Sequence, residues 1–204
     1  MRAEDRSDTS RLEAFSDGVF AITLLVLEIK VPDTDGNLGR GLLNAWPSYA
    51  GYAISFLVIL VMWMNHHRIF KFIVRTDDWL LAANGLLLLL VSFIPFPTKV
   101  LAEHLQGPDA RTAAVFYSGT FVVTAIFYNL LWQCIAFKGR LVDMKAHGDR
   151  VRAVTIQFAL GPVTYLVGFV LAFFNPLASV ILNLAIAAFF LLPARHAKPG
   201  RLNT

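Results

Sequence analysis

Six apolar runs, near residues 12–31, 46–67, 79–100, 112–137, 152–174 and 176–193, are each long enough to cross a bilayer as a helix, and they occupy most of the 204-residue chain. Backbone inside hydrocarbon has no water to bond and must satisfy its own hydrogen bonds. The pattern therefore predicts an all-α, polytopic membrane protein of six transmembrane helices in a single domain over residues 1–204. Only Asn175 and Pro176 separate the last two runs, but Tyr165 to Pro193 is too long for one span, which predicts a tight helical hairpin. With 56% hydrophobic and 16% charged residues and a mean hydropathy of +0.59, the chain does not fit an ordinary soluble domain. The first run is not a cleavable signal, because it carries acidic residues, lacks a small-residue cleavage pattern and is followed by Lys30, Pro32 and a polar loop.

The basic residues set an orientation. The N-terminus, the loops after the second and fourth runs and the C-terminal tail hold 3, 3, 5 and 3 Lys or Arg, 14 in all, against 4 on the other side: Lys30, Arg40, Lys99 and Arg111. By the positive-inside rule both termini are cytoplasmic in a multi-pass protein of the cell membrane. The basic stretch KGRLVDMKAHGDRVR falls on that same side, where anionic membrane lipid accounts for its charge, and no nucleic-acid partner is expected. Cys134 is the only cysteine, so an intrachain disulfide and a thiolate-rich metal site are both excluded. The sequence has no nucleophile motif, phosphate loop or zinc-ligand pair, so a membrane enzyme is not expected, nor is a cofactor. No run carries the regular Arg or Lys series of a voltage sensor.

Within the first run, RLEAFSDGVFAITLLVLEIKVP, Ser16, Asp17 and Gly18 interrupt an otherwise apolar segment. A charge at membrane depth costs on the order of 3 kcal/mol even on lenient insertion scales, so Asp17 must face protein or water. At about 100° per residue, Phe15, Gly18, Leu25, Val26 and Ile29 lie within roughly 60° of Ile22, while Ser16, Asp17 and Glu28 lie at roughly 120°, 220° and 240°. One face is thus an apolar stripe; the other carries polar groups expected to be buried against the same subunit. Two readings compete for the stripe: a packing seam between helices, and a hydrophobic constriction of the kind channels use. No internal repeat supplies a second copy of the motif, so an ion path along this helix has to be completed by symmetry-related subunits.

The segment from Arg11 through Phe15, Ser16, Asp17, Gly18, Val19, Phe20 and Ala21 to Ile22 resembles the first-helix signature of the lysosomal and bacterial potassium channels of the transmembrane-protein-175 type. The segments Trp63 through Phe70 and Asn84 through Thr98 are similar to that family as well; beyond about residue 100 the likeness is mainly one of helix number and hydrophobicity. The resemblance implies a homotetramer around a pore lined by the first helix. It implies that potassium ions permeate and that Ile22 forms the narrowest ring. Further apolar layers are implied at Val26, with Leu25 the close alternative, and at Ile29. A TVGYG-type carbonyl filter is absent. An isoleucine ring offers no oxygen ligands, so the ion that sheds water more readily passes more easily, which favours potassium over sodium by a modest margin.

Ser16 and Asp17, turned from the stripe, need hydrogen-bond partners, since unsatisfied polar groups in hydrocarbon cost several kcal/mol. Trp63, Asn65, His66, His67 and Arg68 close the second run and Asn84 opens the third, at the depth of the motif; together with Arg11 and Phe15 these form the expected inter-helix network. Neighbouring His66 and His67 point about 100° apart on a helix and do not form a chelating pair, so no metal site is expected. A neutral, satisfied core histidine is the simple reading of each; a histidine paired with Asp17 is the alternative. That pairing is also the basis of the rival function, a proton- or ion-coupled secondary transporter, against which the lack of repeats and of broken midplane helices counts. Trp132, Asn129 and Gln157 carry no readable signature, and the last three spans are expected to form an outer scaffold.

Overall fold

The computed structural model describes residues 3–29, 36–137 and 144–191, and every regular element among them is a helix. These are α1 (Ala3–Val26), α2 (Leu38–Asn44), α3 (Trp46–Phe70), α4 (Asp78–Phe93), α5 (Pro95–His104), α6 (Ala110–Phe137), α7 (Met144–Ala172) and α8 (Pro176–Leu191). Each of the six expected spans holds a helix among the described residues, the third as the pair α4 and α5. Among the described residues, Trp46–Phe70, Asp78–His104 and Ala110–Ala136 are long and apolar enough by themselves to cross a membrane, and Phe158–Ala172 and Pro176–Phe189 are shorter apolar helices.

The boundaries differ from the sequence reading for local reasons. α1 starts nine residues earlier than expected and ends at Val26, so Leu27, Glu28 and Ile29 lie beyond the helix. The loop after the first span holds α2, capped by Asn37, whose Oδ1 accepts from the Arg40 amide at 3.1 Å. The third span divides at Ile94 because Pro95 and Pro97 have no N–H to continue the ladder. There Thr98 Oγ1 donates to the Ile94 carbonyl at 2.8 Å, which commits its hydrogen, so Ser55 of α3 donates to Thr98 at 2.7 Å and ties α3 to α5. α7 begins at Met144, inside the stretch expected to be a loop. Asn175 caps α8 by accepting from the Ala178 amide at 3.0 Å, which makes the expected hairpin tight.

α6 is the centre of the bundle, packed along α7 and against α4, α5 and α8, with Tyr117, Phe121, Leu131, Trp132 and Ile135 fully buried. Two polar arrangements hold this half together. Pro162 stands inside α7 and cannot donate to the carbonyl of Phe158; Asn129 Nδ2 of α6 donates to that carbonyl instead, at 3.0 Å. Asn129 Oδ1 in turn accepts from Gln133. Further along, Asn183 donates to Ser118 (2.8 Å), Ser118 to Ser179 (2.9 Å) and Ser179 to the Gly168 carbonyl (2.7 Å), the direction being fixed because that last bond uses the Ser179 hydrogen. A Cβ at Gly168 would sit 2.5 Å from Asn183 Oδ1, so any larger residue there would push the Asn183 amide from its place against Ser118. α1 stands apart, packing on α3 and α4 alone among its stronger contacts.

Candidate functional site

α1 divides lengthwise as its sequence predicts. Its inner face buries Ser16, Phe20 and Thr23, and the Ser16 and Thr23 hydroxyls, which face protein, also bond back to the Leu12 and Val19 carbonyls at 2.8 Å each. Its outer face leaves Phe15, Gly18, Ala21, Ile22, Leu25 and Val26 exposed, Ile22 at 62% and Leu25 at 82%. Ile29 continues the exposed surface past the helix end. Phe15 therefore belongs with the stripe and not with the polar network. Arg11 is exposed and also outside it. Glu28, expected on the buried face, is 74% exposed and lies 3.7 Å from Lys99 of α5; the helical wheel fails there because α1 has already ended.

Three rungs fasten the inner face to the scaffold. Trp63 Nε1 donates to Asp17 Oδ1 at 2.8 Å. His67 Nδ1 meets Glu13 Oε1 at 2.9 Å. Asn84 Nδ2 donates to Ser16 Oγ at 3.0 Å, which leaves Asn84 Oδ1 to accept from His66 Nε2 at 2.8 Å. The His66 ring is fully buried between Phe20 and Phe70, with centroids 5.3 and 4.2 Å away, and its Nδ1 has no partner among the described residues. Trp63 and His67 stack at 5.8 Å, which joins two of the rungs sideways. Arg68 reaches Asn65 on its own helix at 3.3 Å.

Ser16, Asp17, Trp63, His66, His67 and Asn84 are thus brought together, but with different pairings from those the transporter reading needs. Asp17 bonds a tryptophan, while the histidines go to an asparagine and to Glu13. The sequence reading missed Glu13 and Phe20. The signal for Glu13 was available, since Glu13 and Asp17 are one helical turn apart on α1 just as Trp63 and His67 are on α3. Among the described residues no three His, Cys, Asp or Glu side chains gather as a metal set. The arrangement clamps one face of a helix and, among the described residues, leaves its apolar face uncovered.

The sequence model of the family described as the endosomal/lysosomal potassium channel TMEM175 matches residues 11–95, the part of the chain holding the clamp and the stripe. A potassium channel of Chamaesiphon minutus is 50% identical over 199 residues, covering 94% of this chain and 98% of its own. The chain belongs to the TMEM175 family. A potassium channel of Streptomyces collinus is 45% identical over 164 residues, 78% of this chain and 80% of its own. The crystal structure of a lysosomal potassium-selective TMEM175 homologue from Chamaesiphon minutus superposes with a TM-score of 0.82 at 48% identity, over 90% of this chain and 96% of that one. The TMEM175 likeness thus extends through α6, α7 and α8, well past the residues that carry the motif. An ion-channel family is not an enzyme class.

Proposed function

We propose that the chain is a potassium-selective leak channel of the cell membrane, built as a homotetramer in which four α1 helices turn their exposed stripes toward a common axis. The observation that carries this reading is the split of α1: a polar face held by three hydrogen-bonded rungs, and an apolar face of Ile22, Leu25 and Val26 open to solvent in the single chain. Ile22 forms the constriction. Val26 and Ile29 form wider layers toward the far end, with Leu25 at their edge. An ion at the ring loses water without gaining ligands, and potassium, which holds its water less tightly than sodium, passes at lower cost. Discrimination of this kind is weaker than that of aligned carbonyls. The three rungs hold α1 at its radius so that the ring neither collapses nor widens. Both termini face the cytoplasm, which places the clamp at the inner end of the path and Glu28 at the outer end.

Purified protein in liposomes with opposed potassium and sodium gradients tests the function directly. A passive, potassium-selective channel gives a reversal potential that follows the potassium gradient. Saturable flux driven by a proton gradient, or no conduction at all, would overturn the reading.

A further inference from the structure

α1 ends at Val26 with no basic residue in its last turn, so its final carbonyls present the negative end of the helix dipole with no cation inside the helix itself. Leu27 is buried and pins the chain, and the next side chain, Glu28, is 74% exposed. Its carboxylate lies 3.7 Å from the Lys99 ammonium of α5, itself 59% exposed. A pair so open to water is weak and does not immobilise either partner. Glu28 is therefore a charge placed just past the end of the helix that carries the apolar stripe, beside a cation that partly offsets it.

We propose that Glu28 concentrates cations at the mouth of the ion path, and that Lys99 sets how much of that charge an incoming ion meets. The inference rests on α1 lining a shared axis: symmetry then gathers four Glu28 carboxylates and four helix C-termini around one entrance. Rings of carboxylates serve cation channels in this way, and a mouth of one sign raises the local concentration of the opposite ion. The field acts on charge and not on ion size. Glu28 accordingly governs how many cations arrive, while the apolar stripe governs which of them pass.

Single-channel recording of the full-length protein in planar bilayers separates these roles. With KCl at about 20 mM on the Glu28 side, where the Debye length exceeds about 10 Å, Glu28→Gln should lower unitary conductance about two- to threefold. Lys99→Gln should raise it by a similar factor, and Glu28→Asp should match the parent. At about 1 M KCl, where screening acts within about 3 Å, all should converge. The potassium-to-sodium reversal potential should stay unchanged throughout. Parent-like conductance of Glu28→Gln at low salt overturns the inference, as does a loss that persists at high salt, which marks a steric or gating effect. Ile22→Asn recorded alongside tells the two levels apart. If it alters selectivity while Glu28→Gln does nothing, only the inference falls; if it too leaves selectivity unchanged, the pore reading falls with it.

Discussion

Asn84 carries more of the buried polar chemistry than any other side chain in the clamp, since its amide donates to Ser16 and accepts from His66 in the same fully buried space. Removing it strands the fully buried His66 Nε2–H and takes from Ser16 the donor its oxygen accepts from, although the Ser16 hydroxyl keeps its bond to the Leu12 carbonyl; a buried group left unsatisfied costs about 1–3 kcal/mol. Asp17→Ala strands one, the Trp63 indole N–H, at a half-buried site. Asn84→Ala should therefore reduce thermal stability and the yield of assembled oligomer more than Asp17→Ala does, and Trp63→Phe, which takes the indole donor from the half-buried Asp17 carboxylate, should lower both as well. Detergent size-exclusion profiles after a heating series give the order, and an Asp17→Ala defect larger than that of Asn84→Ala would contradict it. At this scale the sequence was informative about membership and poor about pairing. Ser16, Asp17, Trp63, His66, His67 and Asn84 stand out because polar groups at membrane depth are few and costly. Which meets which depends on helix rotation and depth to within an ångström or two, and no spacing rule supplies that.

Helices were legible where one period ran unbroken and illegible where a single residue changed the rule. The two faces of α1 follow from a period of 3.6, but Glu28 was misplaced because nothing in VLEIK announces that the helix stops at Val26. α2 is short and contains Gly39 and Gly41, which hid the Asn37 cap. In α6 to α8 the bonding partners are 61 and 65 residues apart for the serine pair and for Asn183 with Ser118, so their polar chain is invisible to local patterning. The Asn129 bond to Phe158 is the clearest case, since the asparagine has meaning only once Pro162 has left a carbonyl bare 29 residues away. Asn129→Leu should therefore destabilise the protein by about 1–3 kcal/mol in thermal or denaturant unfolding. Adding Pro162→Ala should recover much of that loss, because alanine restores the N–H that α7 lacks. Simple additivity of the two changes would mean that Asn129 acts by packing and not by replacing the missing bond.

For the whole molecule, a protomer with one polar-clamped, apolar-faced helix leaves the stripe of α1 uncovered among the described residues, and the proposed tetramer supplies its cover from other copies. Ile22 distinguishes a constriction on the symmetry axis from a seam between subunits. At a constriction, Ile22→Asn places four amides where the permeating ion had no ligands, so sodium recovers substitutes for its lost water and sodium permeability rises relative to potassium while the tetramer survives. At a seam, asparagine enters a close-packed interface at lipid depth and harms assembly, with selectivity unaltered in the channels that form. Val26→Asn and Ile29→Asn should shift selectivity less, Ile29 least, because it lies beyond the helix end. Leu24, half-buried against the core on the opposite side of α1, is the control, and Leu24→Asn should act through stability alone. Bi-ionic reversal potentials on these four variants, each checked for tetramer integrity, decide between the arrangements: unchanged selectivity in a well-assembled Ile22→Asn tetramer would remove Ile22 from the ion path.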